Sequence, residues 1–353
     1  MQTFRTCPRR HYFMYEQGLR RDRDATALRI GGIVHKALER LWNDRASDPL
    51  GDALKEVYDN YATYPLWVTT EESQREWEYE RETVSALVSG YWERWRKEMP
   101  ESVGIEHAFD APIRNPETGA SSRTFRLAGK IDALARLAGG RLAVVEHKTT
   151  GEDISAESDY WRRLRIDPQI SGYVLGARER GFDVQTVLYD VLRKPSIRPE
   201  QVTMVDKDGF KIVVDAAGER VYLTNKSGEK TKPRESGDPE KGYTLCKRPM
   251  TPEEWWQKLS ADIAARPDFY FQRREIARMD SDMQDYAAEL WQTAELVREA
   301  KTKERWVRNT SACLSMSRCE FLDICHLGLE VSEVPEGFMR VSHVHPELQG
   351  EVE

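Results

Sequence analysis

The chain has 353 residues, of which 39% are apolar and 32% charged, and its formal net charge at pH 7 is −7. This length allows a large core and one or two domains, and ten Trp and fourteen Tyr residues argue against disorder. No apolar run approaches the roughly 18 residues of a membrane span, and the first residues show no signal peptide. We therefore predict a cytoplasmic protein that binds no membrane. The acidic balance counts mildly against a nucleic-acid ligand, although the local field decides binding.

Residues 1–100 predict a mainly helical region that covers the rest of the fold. Within residues 30–45 the apolar positions recur at helical spacing and form one face. These positions are Ile30, Ile33, Val34, Ala37, Leu38 and Leu41. Further helices are predicted over residues 7–20, about 50–62 and about 71–99.

Residues 101–224 predict a sheet core. Strands are expected at 103–113, 123–137, 141–147 and 184–193, with a helix at 167–180. Turn sequences at Asn115-Pro116 and Gly139-Gly140 predict that the first three strands form an antiparallel meander. Short hairpin strands are expected from residue 200 to residue 224. The pattern as a whole indicates an α/β fold with a helical cover.

The C-terminal part predicts a break followed by more helix. Residues 225–247 are polar, and 225–244 contain no Leu, Ile or Val, which predicts a flexible or disordered loop. The elements expected in 248–330 are a helix from Thr251-Pro252, a strand over 268–275 and a helix over 280–304. We therefore predict one domain over residues 1–330 and a tail over 331–353.

Two carboxylates and a lysine mark a predicted metal site. Asp132 lies in RLAGKIDALARL, while Glu146 and Lys148 lie in LAVVEHKTT, and the two segments are expected to be neighbouring strands. Neighbouring strands lie about 4.8 Å apart, so both carboxylates can reach one cation, and Glu146 and Lys148 share a face. Such oxygen ligands suit Mg²⁺, and a lysine can position or help deprotonate an attacking water. His147 points to the other face, but its backbone carbonyl could still face the metal.

His35, Gln169 and Tyr173 are expected to complete this site. His35 lies on the helix before the strands, and as a ligand it favours Mn²⁺ slightly over Mg²⁺. Gln169 and Tyr173 are four residues apart on one helix face, where they can bind a phosphate or orient Lys148. Each residue taken singly has an ordinary explanation, such as a surface carboxylate or a core histidine. Their ordered occurrence together is what indicates a functional site.

The order His35, Gly129-x-x-Asp132, Glu146-x-Lys148 and Gln169-x-x-x-Tyr173 resembles the RecB-like nucleases of the PD-(D/E)xK superfamily. The resemblance extends over about residues 4–325 and implies a restriction-endonuclease-like mixed sheet flanked by helices. It also implies that His35, Asp132 and Glu146 bind Mg²⁺ or Mn²⁺, that Lys148 is catalytic, and that Gln169 and Tyr173 support it. The expected function is a metal-dependent DNA exonuclease that prefers single-stranded ends and acts in recombination, repair or replication.

Four of the five cysteines are predicted to hold a metal cluster. Cys7 lies near the N terminus and Cys313, Cys319 and Cys325 follow the last long helix, whereas Cys246 ends the polar segment and is considered unrelated. Four thiolates suit an iron–sulfur cluster or zinc. The absence of two Cys-x-x-Cys pairs favours a [4Fe–4S] cluster, with zinc and merely buried thiols as the alternatives.

The sequence around these cysteines also resembles the iron–sulfur branch of the RecB-like nucleases, which includes the AddB nuclease domain and CRISPR-associated exonucleases. The resemblance rests on Cys7-Pro8-Arg9-Arg10-x-Tyr12 and on Cys319-x5-Cys325. The chain departs from this branch at Met316, where a cysteine is often found, so Cys313 must reach through a longer loop. The cluster is expected to be structural, because closing a loop of about 300 residues removes much unfolded-state entropy.

Basic and aromatic residues near the site are predicted to contact DNA, because single strands bind through phosphate pairing and base stacking. They are Arg9, Arg10, Tyr160, Trp161 and Arg162. A solvated face above buried aromatic rings explains them equally well. No phosphate-binding Gly-rich loop occurs, so a helicase or recombination partner would be a separate protein.

Three other functions are compatible with the sequence: a non-catalytic DNA-binding or assembly module, a zinc-stabilised adaptor between proteins, and a CRISPR adaptation factor. The first is disfavoured because Asp132, Glu146 and Lys148 are all present. The second would be excluded by the brown colour of iron–thiolate ligation. Nothing in the sequence specifies an oligomeric state.

Overall fold

A computed structural model describes residues 1–23, 25–43, 46–315, 318–328, 331 and 333–345. Met316 lies outside the described residues, and so do residues 346–353 of the predicted tail. In the part of the chain that is described, no helix is both long and apolar enough to cross a membrane.

The described helices are grouped before the sheet, between its strands and after it. In chain order they are α1 Gln2–Thr6, α2 Pro8–His11, α3 Thr26–Leu41, α4 Pro49–Tyr61, α5 Glu71–Trp95, α6 Asp159–Leu164, α7 Pro168–Glu179, α8 Pro252–Ala265, α9 Pro267–Tyr270, α10 Asp280–Thr302 and α11 Leu322–Leu327. A π-helical turn, Tyr12–Glu16, continues α2. Single 3-10 turns occur at Pro239–Lys241 and Thr310–Ala312.

The described strands form one central sheet and several two-stranded ladders. In chain order they are β1 Leu19–Arg21, β2 Glu101–Arg114, β3 Ser121–Arg136, β4 Leu142–Thr150, β5 Val184–Arg193, β6 Gln201–Thr203, β7 Val213–Val214, β8 Tyr222–Thr224, β9 Lys230–Pro233, β10 Thr244–Leu245, β11 Lys247–Pro249, β12 Phe271–Ala277 and β13 Phe338–Arg340.

The central sheet has the strand order β12-β5-β4-β3-β2. Strands β2, β3 and β4 form the predicted antiparallel meander, and β5 pairs in parallel with β4 after a crossover through α6 and α7. Strand β12 closes the other edge by antiparallel pairing with β5. This mixed five-stranded sheet flanked by helices is consistent with a restriction-endonuclease-like fold, and the predicted α/β class is confirmed.

Two hydrophobic layers hold the sheet between the helices. On one face, α3, α4, α5 and α8 pack side chains such as Leu38 and Leu87 against the sheet. On the other face, α6 and α7 pack Trp161 and Val174 against it. Because β4 is buried on both faces, its first half is continuously apolar rather than alternating. The polar end of β4 therefore emerges from a rigid, central strand.

The predicted helix over residues 7–20 is wrong in its second half. Only Pro8–His11 is α-helical, the π-helical turn follows, and β1 then pairs with β13. The cause is Gly18, which has a φ of 64° and lies so close to the Val341 carbonyl that a Cβ would sit 2.5 Å from its oxygen. A helix cannot continue through such a residue.

The prediction of a disordered loop over residues 225–244 is also wrong in part. The segment is largely exposed, but β8 and β9 pair as a hairpin and β10 pairs with β7. The hairpin is held by its turn, because the Asn225 side chain accepts from the Ser227 and Glu229 amides over 2.9 Å each. Gly228 supplies the left-handed conformation with a φ of 83°. Turn chemistry rather than an apolar pattern orders this segment.

Candidate active site

A cavity of about 680 Å³ opens where β3 and β4 separate. Backbone pairing between the two strands runs from Arg136↔Leu142 to Ala133↔Val145 and stops there. Beyond that point the His147 amide donates to the Asp132 carboxylate over 2.9 Å. A side chain thus replaces the next rung of the ladder, and the opening places both Asp132 and Glu146 on the cavity wall.

Glu146 is the most deeply buried carboxylate of the cavity, with 2% of its side chain exposed. Its Oε1 atom lies 2.5 Å from the Lys148 ammonium, while its Oε2 atom is buried without a hydrogen-bond partner. Burial, together with the nearby Asp132 charge, raises the pKa of Glu146 to about 7. A buried carboxylate oxygen without a hydrogen-bond partner is costly, and this cost accords with the raised pKa of Glu146.

Asp132 and His35 form a second charged contact at the cavity. His35 lies on α3, and its Nδ1 atom is 3.6 Å from Asp132 Oδ1. Burial alone would raise the pKa of Asp132, but the contacts with His35 and the His147 amide outweigh it and lower that pKa. Burial alone would lower the pKa of His35, but the contact with the Asp132 carboxylate outweighs it and raises that pKa. Asp132 is thus the stronger acid of the two cavity carboxylates.

Lys148, Gln169 and Tyr173 form a hydrogen-bonded chain that starts at Glu146. The Lys148 ammonium donates to Gln169 Oε1 over 2.7 Å, and Gln169 Nε2 donates to the Tyr173 hydroxyl over 2.6 Å. Helix α7 sets this geometry. It is capped by Asp167, whose side chain accepts from the Gln169 amide over 2.8 Å, and Tyr173 follows Gln169 one turn later on the same face.

The protonation states along this chain follow from its contacts. Burial lowers the pKa of Lys148, but the Glu146 carboxylate outweighs it and the net effect raises that pKa. Burial raises the pKa of Tyr173 far above its ordinary value. Because an ammonium only donates, Lys148 fixes the Gln169 amide, and the Tyr173 oxygen then accepts from Gln169. The Tyr173 proton is left available for a ligand in the cavity.

The charged residues of this cavity that sequence reasoning missed include Glu106 and Lys130, which form an ion pair. On β2, Glu106 lies between Ile105, which pairs with Ala133, and His107, which pairs with Ile131. It has a φ of 56°, an uncommon conformation for a residue with a side chain. Lys130 lies within the Gly129-x-x-Asp132 motif and could have been found there. Glu106 carries no such signal, since only strand pairing brings it to the cavity.

The four cysteines named from the sequence line a second cavity, of about 250 Å³. Cys7 reaches it from the start of α2, where its sulfur lies 3.5 Å from the Asn309 amide that donates to it. The Cys319 amide donates to the Cys313 carbonyl over 2.8 Å, and burial raises the pKa of the Cys319 thiol. Cys246 lies elsewhere, with its amide bonded to Ile212 beside the β7–β10 ladder.

Neither cavity holds a preformed cage for a single ion. Among the residues the structure describes, no three or more His, Cys, Asp or Glu side chains lie close enough together to hold one metal ion. The two sets of ligands predicted from the sequence therefore each line a cavity, but their ligating atoms do not converge on one position.

None of the five predicted DNA contacts lines the cavity that contains Glu146. Tyr160 and Trp161 are buried in the core, and the Trp161 ring nitrogen donates to Ile154, so their proposed role in base stacking is wrong. Arg162 is exposed but is paired with Asp159 on its own helix. Arg9 and Arg10 line the cysteine cavity instead. The adjacent aromatic and arginine residues at 160–162 belong to helix α6, whose aromatic side chains pack into the core.

The chain is similar to a known protein family. The sequence profile described as the PD-(D/E)XK nuclease superfamily matches residues 1–326. A search of curated proteins found no match to this chain. The profile spans both cavities and the whole central sheet.

Proposed function

The chain belongs to the PD-(D/E)XK nuclease superfamily, and on that premise we propose that it is a divalent-metal-dependent deoxyribonuclease that cuts phosphodiester bonds. We propose further that it is an exonuclease acting on DNA ends, with a preference for single strands, in recombination, repair or replication. The observation that carries the proposal is the buried Oε2 atom of Glu146, which has no hydrogen-bond partner and belongs to a residue that lines the same cavity as Asp132 and Lys148.

The donor set of this cavity fits Mg²⁺ or Mn²⁺, which are the ions that enzymes of this superfamily typically use. Asp132, Glu146, His35 and the backbone carbonyl of His147 would hold the ion, with the carboxylates as the main ligands. When bound, the ion lowers the pKa of a coordinated water and screens phosphate charge. Of these ligands, Glu146 would be stabilised most by a bound ion, because its Oε2 atom has no hydrogen-bond partner in the described structure.

The protein's own side chains would orient the reacting groups. Lys148 remains an ammonium because Glu146 and Gln169 hold its proton donors at 2.5 and 2.7 Å. It can align a water with the scissile phosphate and stabilise the negative charge that develops there. Tyr173, whose proton is free of the Gln169 bond, can donate to a phosphate oxygen. Together they place a cation and a neutral donor on one wall of the cavity.

We also propose that Cys7, Cys313, Cys319 and Cys325 hold a [4Fe–4S] cluster, as in the iron–sulfur branch of RecB-like nucleases. The four thiols line one cavity although Cys7 and the other three are about 300 residues apart. An amide aimed at a cysteine sulfur, as from Asn309 to Cys7, is a contact that tunes such clusters. The cluster would dock the C-terminal segment against α2 and stabilise the fold.

The first experiment tests hydrolysis directly. Anaerobically purified protein is incubated with end-labelled single- and double-stranded DNA in Mg²⁺ or Mn²⁺, and the wild type is compared with Lys148→Ala. We expect cleavage by the wild type and at least a 100-fold loss in the variant. Lys55→Ala serves as a matched control, because Lys55 is an exposed lysine paired with Asp59 on α4.

Product analysis separates the finer parts of the proposal. Release of mononucleotides or short oligomers from labelled ends, with circular single strands left intact, supports an exonuclease. Cleavage of circles contradicts that part while leaving the nuclease in place. DNA binding without cleavage by the wild type, in either metal, would instead favour a non-catalytic binding module.

A further inference from the structure

A buried polar network lies on the face of the sheet opposite the Glu146 side chain. Its centre is Asp190 on β5, which has no exposed surface. The Arg273 guanidinium lies 3.1 Å from Asp190 Oδ2, the Tyr91 hydroxyl donates to the same oxygen, and His147 Nδ1 is 3.4 Å away. Trp42 completes the network by donating to the Tyr91 oxygen over 2.9 Å.

This network is an expensive feature for a protein core. Burial of an aspartate ordinarily raises its pKa, yet Arg273 and His147 lower the pKa of Asp190 to about 2. Asp190 is therefore a fully buried carboxylate, held by groups that come from α5, β4 and β12. Apolar residues of similar volume stabilise a core as well as or better than such an arrangement. The network therefore calls for an explanation besides stability.

His147 joins this network to the proposed metal site. Its ring is buried between Asp190 and the edges of the Trp42 and His35 rings, whose centroids lie 5.4 and 6.1 Å from it. Its amide donates to Asp132. His147 lies two residues beyond the last backbone pair between β3 and β4. Its amide therefore has the Asp132 carboxylate as its acceptor in place of a β3 carbonyl.

We propose that Asp190 is a positioning residue that acts through His147. By fixing the His147 ring, Asp190 would fix the adjoining peptide, which orients Asp132 through its amide and presents its carbonyl to the cation. Arg273 and Tyr91 hold Asp190 in place and keep it charged. This inference rests on the proposed metal site, and it assigns the network a role in assembling the ligands rather than in chemistry.

The test measures metal binding in the absence of DNA and turnover. Binding of Mn²⁺ to the cluster-loaded protein is followed by the loss of the free-ion electron paramagnetic resonance signal, and Glu146→Ala defines the signal that belongs to this site. We expect Asp190→Asn to weaken Mn²⁺ binding by about 10-fold to 100-fold, which is the usual effect of losing a group that orients a ligand. Tyr91→Phe, which removes only the hydroxyl and leaves the formal charge unchanged, should weaken it in the same direction by about 3-fold to 10-fold.

A second buried network in the protein supplies matched controls. Glu80 on α5 is paired with Arg29 at 2.6 Å and accepts from the Tyr61 hydroxyl over 2.8 Å, but it does not line the cavity. Glu80→Gln and Tyr61→Phe therefore remove comparable buried contacts. They should lower the unfolding temperature while leaving Mn²⁺ affinity within about 2-fold of the wild type.

Each outcome decides between the inference and its premise. Weaker Mn²⁺ binding in Asp190→Asn and Tyr91→Phe, with normal binding in both controls, supports the inference. If the wild type binds Mn²⁺ and both network variants bind it equally well, or if the controls lose affinity to the same extent, the inference is overturned while the metal site stands. Absence of Mn²⁺ binding in the wild type refutes the metal site itself. If Asp190→Asn does not fold, Tyr91→Phe decides alone.

Discussion

Replacing Glu146 by Gln should stabilise the metal-free protein while it abolishes cleavage. The carboxyl has an ordinary pKa of 4.5 and a folded-state pKa of about 7, because burial and Asp132 disfavour its charge. For a group whose pKa is raised by folding, stability is full below the ordinary value and is lost as the pH rises through the folded value. The wild type therefore carries an increasing penalty above about pH 4.5 that the neutral amide does not.

The size of this penalty follows from the two pKa values. At about 1.4 kcal/mol for each pH unit, an ordinary value of 4.5 and a folded value of about 7 give a penalty of about 3 kcal/mol near pH 8. Glu146→Gln should thus exceed the wild type in unfolding free energy by an amount that grows by about 3 kcal/mol between pH 4.5 and pH 8. The assay is urea unfolding followed by tryptophan fluorescence, with EDTA present.

Addition of Mn²⁺ should reverse the order of stability. An ion at about 1,000 times its dissociation constant stabilises the wild type by about 4.1 kcal/mol, which exceeds the penalty of about 3 kcal/mol at pH 8, and it should have little effect on Glu146→Gln. A stability difference between the two proteins that stays constant with pH would refute the reasoning. So would a wild type that is more stable than the variant at pH 8 in EDTA, because Glu146 would then be well satisfied without a cation.

Three further predictions concern other parts of the molecule. Tyr173→Phe should lower the single-turnover cleavage rate by about 10-fold to 100-fold, the value of one hydrogen bond to a charged group, while Mn²⁺ affinity is unchanged; an unaltered rate would remove Tyr173 from the site. Cys319→Ser should lose bound iron and the absorbance near about 400 nm, while Cys246→Ser keeps both; a colourless, anaerobically purified wild type would contradict the cluster. Burial and the N-terminal amino group lower the pKa of His11 from 6.5 to about 4. The thermal stability of the wild type should therefore fall as the pH drops below 6.5, and His11→Phe should reduce this fall. Equal pH profiles for the two proteins would contradict this role of His11.

The sequence alone determined the α/β class, the antiparallel meander and the long helices, because these depend on local periodicity. Strand β4 is buried on both faces and reads as a short apolar run, and α5 and α10 read as long helical patterns. It also identified Asp132, Glu146, Lys148, Gln169 and Tyr173 as candidates, all of which line one cavity. Spacing in a strand or helix fixes which side chains share a face, and the printed sequence contains that information.

Local patterns were misleading where contacts distant in sequence decide the structure. Gly18 ends a helix because the backbone at Val341 lies against it, and Trp161 is buried because its strand and helix neighbours cover it. The segment after residue 225 is ordered by turn bonds and by pairing with strands that precede it. None of these contacts alters the periodicity of the sequence around the residue concerned.

Only the tertiary structure could reveal the Asp190 network and the position of Glu106. Asp190 and His147 face each other because β5 pairs in parallel with β4 after a crossover, and Arg273 arrives from β12 on the other side of β5. Glu106 meets the cavity through the register of β2 against β3. A register and a strand order are set by the total burial of both sheet faces rather than by any one segment. For this reason the sequence could name the candidate site residues, while the buried contacts behind them appeared only in the folded chain.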